Sequence, residues 1–378
     1  MAAATSYKSK ATTRRRVQQR SKPPLDVKKL SRTTIRPPTH DVPLDSFTER
    51  KTVLALSVDE DGPPLVKTLL TKCGRGAAAR WQVELVVGGR ELHPVPPPPL
   101  QKRLIPTRQL ARVAIDAMPA SMPAIDVAKV AVRPRTRRVP KLPQMKFGKL
   151  RYDPTTIFAP DGRRAYYDTT YPWRCLVRIV TPRGWSGSGV LIGPRHVLTA
   201  SHSVDWTPGW MTVYVMYSNT EWLASANGTW AYAATRVSSS SYSADLGDED
   251  YAVIVLDQPI GLTYGWLGSR TYDNRWDDAT TNWHSIGYPQ DWSGSGEIAA
   301  WQTGFALNEL DSASGPTRLI RSNTFDNWPG QSGSPIFGFW SDGPYAVGVV
   351  SGQASDFNYI AGGSMLPTLV RQAWDEHP

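Results

Sequence analysis

From Tyr171 to the C-terminus the chain is a succession of short β-branched and aromatic runs, each bounded by Gly, Ser, Asn or Pro. CLVRIV (175–180), GVLIG (189–193), HVLTA (196–200), TVYVMY (212–217), YAVIVL (251–256) and YAVGVVSG (345–352) are examples. Runs of this kind, with no long amphipathic helix between them, predict an all-β barrel or sandwich. The last stretch, SMLPTLVRQAWDEH (364–377), is different: Leu366, Leu369, Val370 and Trp374 recur at helical spacing and predict a C-terminal helix closing the domain.

The part of the chain before this pattern is a different material. Residues 1–170 hold 33 basic and 14 acidic residues, whereas residues 171–378 hold 10 and 19 and contain no lysine. A net +19 segment therefore precedes a net −9 domain, and 14 of the 15 tryptophans fall in the latter. Residues 1–46 are rich in Arg, Lys, Pro and Thr and poor in aromatics, so they bury too little apolar surface to offset chain entropy and are expected to form a disordered basic tail. Within residues 47–165, KTVLALSV (51–58) and WQVELVVGG (81–89) have strand composition and, with the segment between them, predict a small ββ or βαβ unit. HPVPPPP (93–99) interrupts regular structure, residues 107–133 have broken helical spacing, and RPRTRRVPKLPQMKFGK (133–149) is a basic, proline-rich linker. The globular domain is expected over residues 166–378.

Three segments carry residues suited to acyl-transfer chemistry, in the order His, Asp, Ser. GSGVLIGPRHVLTASHSV (187–204) reads as two strands joined by a turn and ends at His202. In DYAVIVL (250–256) Asp250 precedes a run apolar enough for a core strand, and PGQSGSPIF (329–337) sets Ser332 in a glycine-rich loop. A serine hydroxyl is a poor nucleophile unless an imidazole takes its proton, and a buried carboxylate is needed to hold the imidazole in the correct tautomer. Glycine before the serine permits the turn that aims the N–H groups of Gly330 and Ser332 at one oxyanion. Asp245 and Asp248 compete with Asp250 for the carboxylate role.

TASH around His202, DYAV at Asp250 and GQSGSP around Ser332 resemble the chymotrypsin-fold serine peptidases, and more closely the bacterial and fungal branch that includes the V8-type glutamyl endopeptidases. TYPWR (170–174) and SIGYPQD (285–291) are similar to that branch too. The resemblance spans about residues 170–365. It implies two six-stranded β-barrels with the site between them, His202 as general base, Asp250 as its orienter, Ser332 as nucleophile, and Gly330 with Ser332 as oxyanion donors. It also implies protein or peptide substrates and secretion, although the first 50 residues hold no apolar signal stretch. Ser203 and Gly187 stand where digestive relatives have a disulfide, and Gln331 stands where the trypsin branch has an Asp that pairs with a newly cut N-terminus. Asp326 and Ser351 are the candidate substrate-pocket residues. An Asp six positions before the nucleophile favours Arg or Lys electrostatically, yet also occurs in relatives that cut after acidic residues. The histidine that glutamyl endopeptidases use would fall near Val350 and is absent.

The expected activity is a serine endopeptidase made as a zymogen, with the basic N-terminal half as a pro-region acting in cis. RTRR (135–138) and Arg163-Arg164 are the candidate processing sites. A phosphate-binding arm is the competing use of that charge, but no nucleic-acid motif accompanies it, so no specific nucleic acid is expected. A catalytically inactive binding protein of the same fold and an esterase using the same triad are the alternative functions. No run of about 18 apolar residues predicts a membrane span, and no HExxH or CxxC spacing predicts a metal or other cofactor. Cys73 and Cys175 either bridge the two halves or stand alone, and Asn227-Gly228-Thr229 is a glycosylation pattern. The tryptophans at 206, 210, 222 and 230 either line a cleft or pack in the core and at its rim.

Overall fold

The computed structural model describes residues 22–26, 39–40, 66–73, 80–87, 97–123, 130–131, 133–136, 157–219, 221–237, 247–278, 282–292, 296–309, 316–354 and 356–378. The peptide stretches of the domain form strands as the composition predicts. A seven-stranded sheet is built from β1 (Gln101–Leu104), β2 (Leu176–Val180), β3 (Ser186–Gly193), β4 (His196–Thr199), β5 (Thr212–Val215), β6 (Ala224–Ala233) and β7 (Ala252–Leu256). Strands β2 to β7 close on themselves, because β5 pairs with both β2 and β6. Closure leaves no free edge inside the ring, and Val177, Ile179, Leu191, Val197, Val213, Ala231 and Ile254, which the strand register places on one face of it, are nearly or fully buried. The extra strand β1 lies outside the ring and adds in parallel to β6.

The second half is a sheet rather than a second closed ring. It comprises β8 (Gly268–Arg270), β9 (His284–Gly287), β10 (Ala300–Thr303), β11 (Asn308–Glu309), β12 (Thr317–Ser322), β13 (Pro335–Trp340), β14 (Gly343–Gln353) and β15 (Asn358–Gly363), together with two short strands, Ala117–Met118 and Arg164–Ala165. The expectation of two six-stranded barrels is thus met by the first half only. Among the described residues the reason is local. The outer edge of β10 is taken by Arg164–Ala165 and the outer edge of β12 by β11, so the two strands that would close the ring already have partners. A side chain spans that gap instead: Gln302 on β10 donates to the Thr324 carbonyl and accepts from the Asp326 N–H.

Described segments before residue 166 are built into this architecture. Strand β1 extends the first sheet and Ala117–Met118 pairs with β8 of the second. Trp173 is fully buried in a cluster with Tyr166, Trp301, Phe337 and Phe339, and its indole N–H donates to the Ala131 carbonyl. Further upstream, the strand expected at 81–89 is present as Arg80–Val87, but its antiparallel partner is Val66–Cys73. The other expected strand, 51–58, lies outside the described residues, as does most of the basic tail.

The C-terminal helix α1 (Met365–Glu376) forms where predicted, with Leu366, Leu369 and Val370 fully buried. Trp374 stacks on His196 of β4 at 5.6 Å, and it approaches Gly193 so closely that a Cβ there would lie 2.2 Å from the indole. Cys175 is fully buried in the core, where its Sγ lies 3.8 Å from the Tyr264 carbonyl oxygen, and the Cys73 side chain lies outside the described residues. Asn227 sits within β6, where its amide already bonds Asp257 and Thr212, an arrangement unlike the exposed loop a glycan requires. No helix among the described residues is long and apolar enough to cross a membrane.

Candidate active site

Strand register brings the first two site residues together. Thr199 at the end of β4 pairs with Ala252 at the start of β7. His202, in the short turn after β4, therefore lies beside Asp250, two residues before β7. The Asp250 carboxylate has no solvent exposure and divides its oxygens among three donors. Its Oδ1 accepts the His202 backbone N–H at 2.8 Å, while Oδ2 lies 2.6 Å from His202 Nδ1 and accepts the Ser351 hydroxyl at 2.7 Å. Burial alone would push the His202 pKa down; the adjacent Asp250 charge and its hydrogen bond outweigh this and hold it above the ordinary value. Asp248 bonds Thr317 instead, and Asp245 lies outside the described residues.

Ser332 comes from the other half, in the loop before β13. It lines one cleft of about 100 Å³ with His202, Thr181, Trp185, Ser186, Gly187 and Ser203. None of the four tryptophans singled out in the sequence lines this cleft. Trp185, from the turn between β2 and β3, does so and is 39% exposed. The spacing between Gly187 and Ser203 agrees with the missing disulfide, since a Cβ built on Gly187 would stand 3.5 Å from Ser203 Cβ, at the short end of the range a disulfide spans.

The backbone around Ser332 is fixed by bonds to both halves. Gln290 N–H donates to Pro329 O at 2.9 Å, and Ser334 N–H donates to Gln331 O at 2.8 Å. In a trans peptide the N–H points opposite to the carbonyl, so these two bonds turn the N–H groups of Gly330 and Ser332 away from their anchors. Neither N–H donates to any group among the described residues. The turn needs glycine at 330, where φ is +95° and a Cβ would come within 2.4 Å of Tyr288 O. Ser188, on β3 of the closed barrel, is a tie between the halves that the sequence did not reveal. Its hydroxyl donates to Gly330 O at 2.7 Å and accepts from Tyr288 N–H at 2.8 Å, while its own N–H donates to Ser332 O. Only its place in the GSG run of 187–189 could have marked it.

The two candidate pocket residues have other partners. Ser351 stands behind Asp250. Asp326 is 1% exposed, and its oxygens accept the backbone N–H groups of Phe158 and Gly162, each at 2.7 Å, and the Gln302 amide at 3.1 Å. Burial pushes its pKa up, opposed by those two backbone bonds. Its carboxylate therefore anchors the segment before the domain. No cluster of three or more His, Cys, Asp or Glu side chains suited to a metal occurs among the described residues.

Comparison with known proteins agrees with the motifs. Residues 187–343 match the family described as the trypsin-like peptidase domain. The chain is 31% identical over 203 residues to a glutamyl endopeptidase from Bacillus licheniformis, an alignment covering 50% of this chain and 57% of that protein. The chain thus spans less than two thirds of that relative's length. Among solved structures, a Glu endopeptidase bound to MPD is similar with 24% identity and a TM-score of 0.48, over 58% of this chain and 99% of its own. The protease Anisep from Arthrobacter nicotinovorans is similar with 19% identity and a TM-score of 0.40, over 57% and 98%.

Proposed function

We propose that residues 166–378 form a serine endopeptidase domain working through an acyl-enzyme. The observation that carries this is the buried Asp250 carboxylate bonded to both the backbone N–H and Nδ1 of a histidine that shares its cleft with Ser332. With Nδ1–H donated to Asp250, the free Nε2 is the base that takes the Ser332 proton as Oγ attacks the substrate carbonyl. Negative charge then develops on the carbonyl oxygen, for which the undonated N–H groups of Gly330 and Ser332 are the acceptor's partners. The imidazolium next protonates the leaving amine, and water, deprotonated by the same His202, releases the acyl group and restores the serine.

Secretion and protein substrates belong to this proposal by likeness to the glutamyl endopeptidase. So does cleavage after acidic residues, which is favoured over cleavage after Arg or Lys because Asp326 is occupied by backbone donors. A removable pro-region fits only chain outside the stretches paired into the two sheets, which include residues 101–104, 117–118 and 164–165. The test is fluorophosphonate labelling of the full-length chain, mapped by mass spectrometry, with hydrolysis of matched Glu, Lys and ester substrates. A single adduct on Ser332 with faster turnover of the Glu peptide is expected. A folded protein that takes no label would instead be the inactive binding relative, and turnover of esters alone would make it an esterase.

The raised His202 pKa predicts the pH profile. The neutral imidazole is the active base, so activity falls on acidification, and the midpoint of that acid limb in kcat/KM is expected above 6.5, the ordinary histidine value. The same shift stabilises the fold fully below the unfolded pKa, and the contribution is lost as pH rises through the folded one. A limb centred below 6.5 would show that Asp250 does not hold the proton on His202.

A further inference from the structure

The residue just before the nucleophile is held by a buried cation from upstream of the domain. Arg163 is 7% exposed, and all five of its guanidinium N–H groups are used. Nε and Nη2 donate to the two oxygens of Asp161 at 3.0 and 2.9 Å. Nη2 and Nη1 donate to the two oxygens of Asp291 at 2.6 and 3.2 Å. The remaining Nη1 proton goes to Gln331 Oε1 at 3.1 Å, the same oxygen that accepts Trp328 N–H. The guanidinium also lies over the Trp292 ring at 5.1 Å. Burial opposes the charge, but bonds to the two carboxylates more than compensate, and Arg163 stays protonated. Because Asp161 and Asp291 already neutralise this cation, a neutral acceptor at 331 suffices where a carboxylate would add unbalanced charge.

Resting on the serine-peptidase proposal, we infer that Arg163 is a built-in positioning residue for the nucleophile loop, and that the domain is competent without a cut between Arg163 and Arg164. The guanidinium grips Gln331 and Asp291, and Asp291 lies in the segment whose Gln290 N–H anchors Pro329. One planar group therefore fixes both sides of the turn that presents the Gly330 and Ser332 N–H groups. A new amino terminus is not needed to do this. The Arg163–Arg164 bond is also poorly placed for processing, because Arg164 pairs with Trp301 in the sheet and Arg163 is interior.

The test uses the full-length chain. Intact-mass analysis after fluorophosphonate labelling is expected to find the adduct on molecules that are uncut at 163–164. Arg163→Gln is expected to lower kcat and the labelling rate about 10- to 100-fold with KM changed less than threefold, part of the 10²–10³ typical of losing an oxyanion donor outright. Arg163→Lys, whose single ammonium cannot reach three acceptors in fork geometry, should recover only a fraction. If Arg163→Gln fails to fold, Gln331→Ala tests the same link with the Asp161–Arg163–Asp291 cluster intact, and the same kcat loss is expected. Wild-type kcat in a folded Arg163→Gln or Gln331→Ala chain would overturn the inference, as would label found only on chains beginning at or after Arg164. Those outcomes leave Ser332 labelled and the peptidase proposal standing, whereas absence of label from every form, wild type included, removes both.

Discussion

Asp250→Asn is expected to lower kcat about 10⁴-fold while leaving the protein folded, the scale found when a triad aspartate is made an amide. At about 1.4 kcal/mol per decade, this is roughly 5–6 kcal/mol of transition-state stabilisation lost without losing a side chain of that size. The reason lies in the three donors that converge on Asp250: His202 N–H, His202 Nδ1–H and the Ser351 hydroxyl. A carboxylate accepts all three, but an asparagine must turn its NH₂ towards one of its two sides. Directed at the backbone, the NH₂ meets a fixed N–H donor in a site closed to water, which costs an unsatisfied pair. Directed at the ring, it forces Nδ1 to accept, so the proton moves to Nε2, where it blocks removal of the Ser332 proton. The second arrangement keeps the backbone bond and so dominates. Steady-state kinetics on a peptide substrate and a thermal melt check this together. A folded variant within tenfold of wild type would mean that Asp250 does not set the tautomer.

The parts of this site that the sequence made legible are those whose meaning is local. Ser332 between glycines, Asp250 at the head of an apolar run and His202 after a strand each state a local geometry, and helix α1 follows from the spacing of Leu366, Leu369 and Val370. What could not be read depends on contacts between residues distant in the chain. Asp326 resembles a pocket floor because of its distance from Ser332, yet its partners Phe158 and Gly162 come from another part of the chain that no periodicity links to it. Arg163 looks like a surface dibasic site until Asp291 and Gln331 are brought around it. The single closed barrel has the same origin: strand composition predicts strands, but whether an edge is free depends on which segment reaches it first, and Arg164–Ala165 reaches β10. The prolines of residues 93–99 read as an interruption of regular structure, yet Gln101–Leu104 follows them closely and pairs with β6. The backbone of 101–104 extends the first sheet because ladder hydrogen bonds run between backbone groups.

Gly330→Ala is expected to reduce kcat about 10²- to 10³-fold with little change in KM, and to destabilise the fold by about 1–2 kcal/mol. Two independent constraints act at this position. The φ of +95° is one that L side chains rarely adopt, and a Cβ would stand 2.4 Å from Tyr288 O and 2.8 Å from Gln290 Cγ. Tyr288 cannot retreat freely, because its N–H is bonded to Ser188, whose hydroxyl is bonded in turn to Gly330 O. The Gln290 side chain can swing aside, but its N–H holds Pro329 O. Relief therefore comes from rotating the Pro329–Gly330 peptide, which breaks the Gln290 bond and turns the residue-330 N–H out of the cleft. Substrate binding along the rest of the cleft survives that rotation, whereas the donor aimed at the developing oxyanion does not, and this is why the loss falls on kcat. Ser332 still has its base, so labelling by a fluorophosphonate should slow in proportion to kcat instead of vanishing. If the variant kept wild-type kcat, the Gly330 N–H would not be an oxyanion donor, and Ser332 N–H would have to serve with a different partner. If KM rose while kcat held, the glycine would instead be there to let substrate approach.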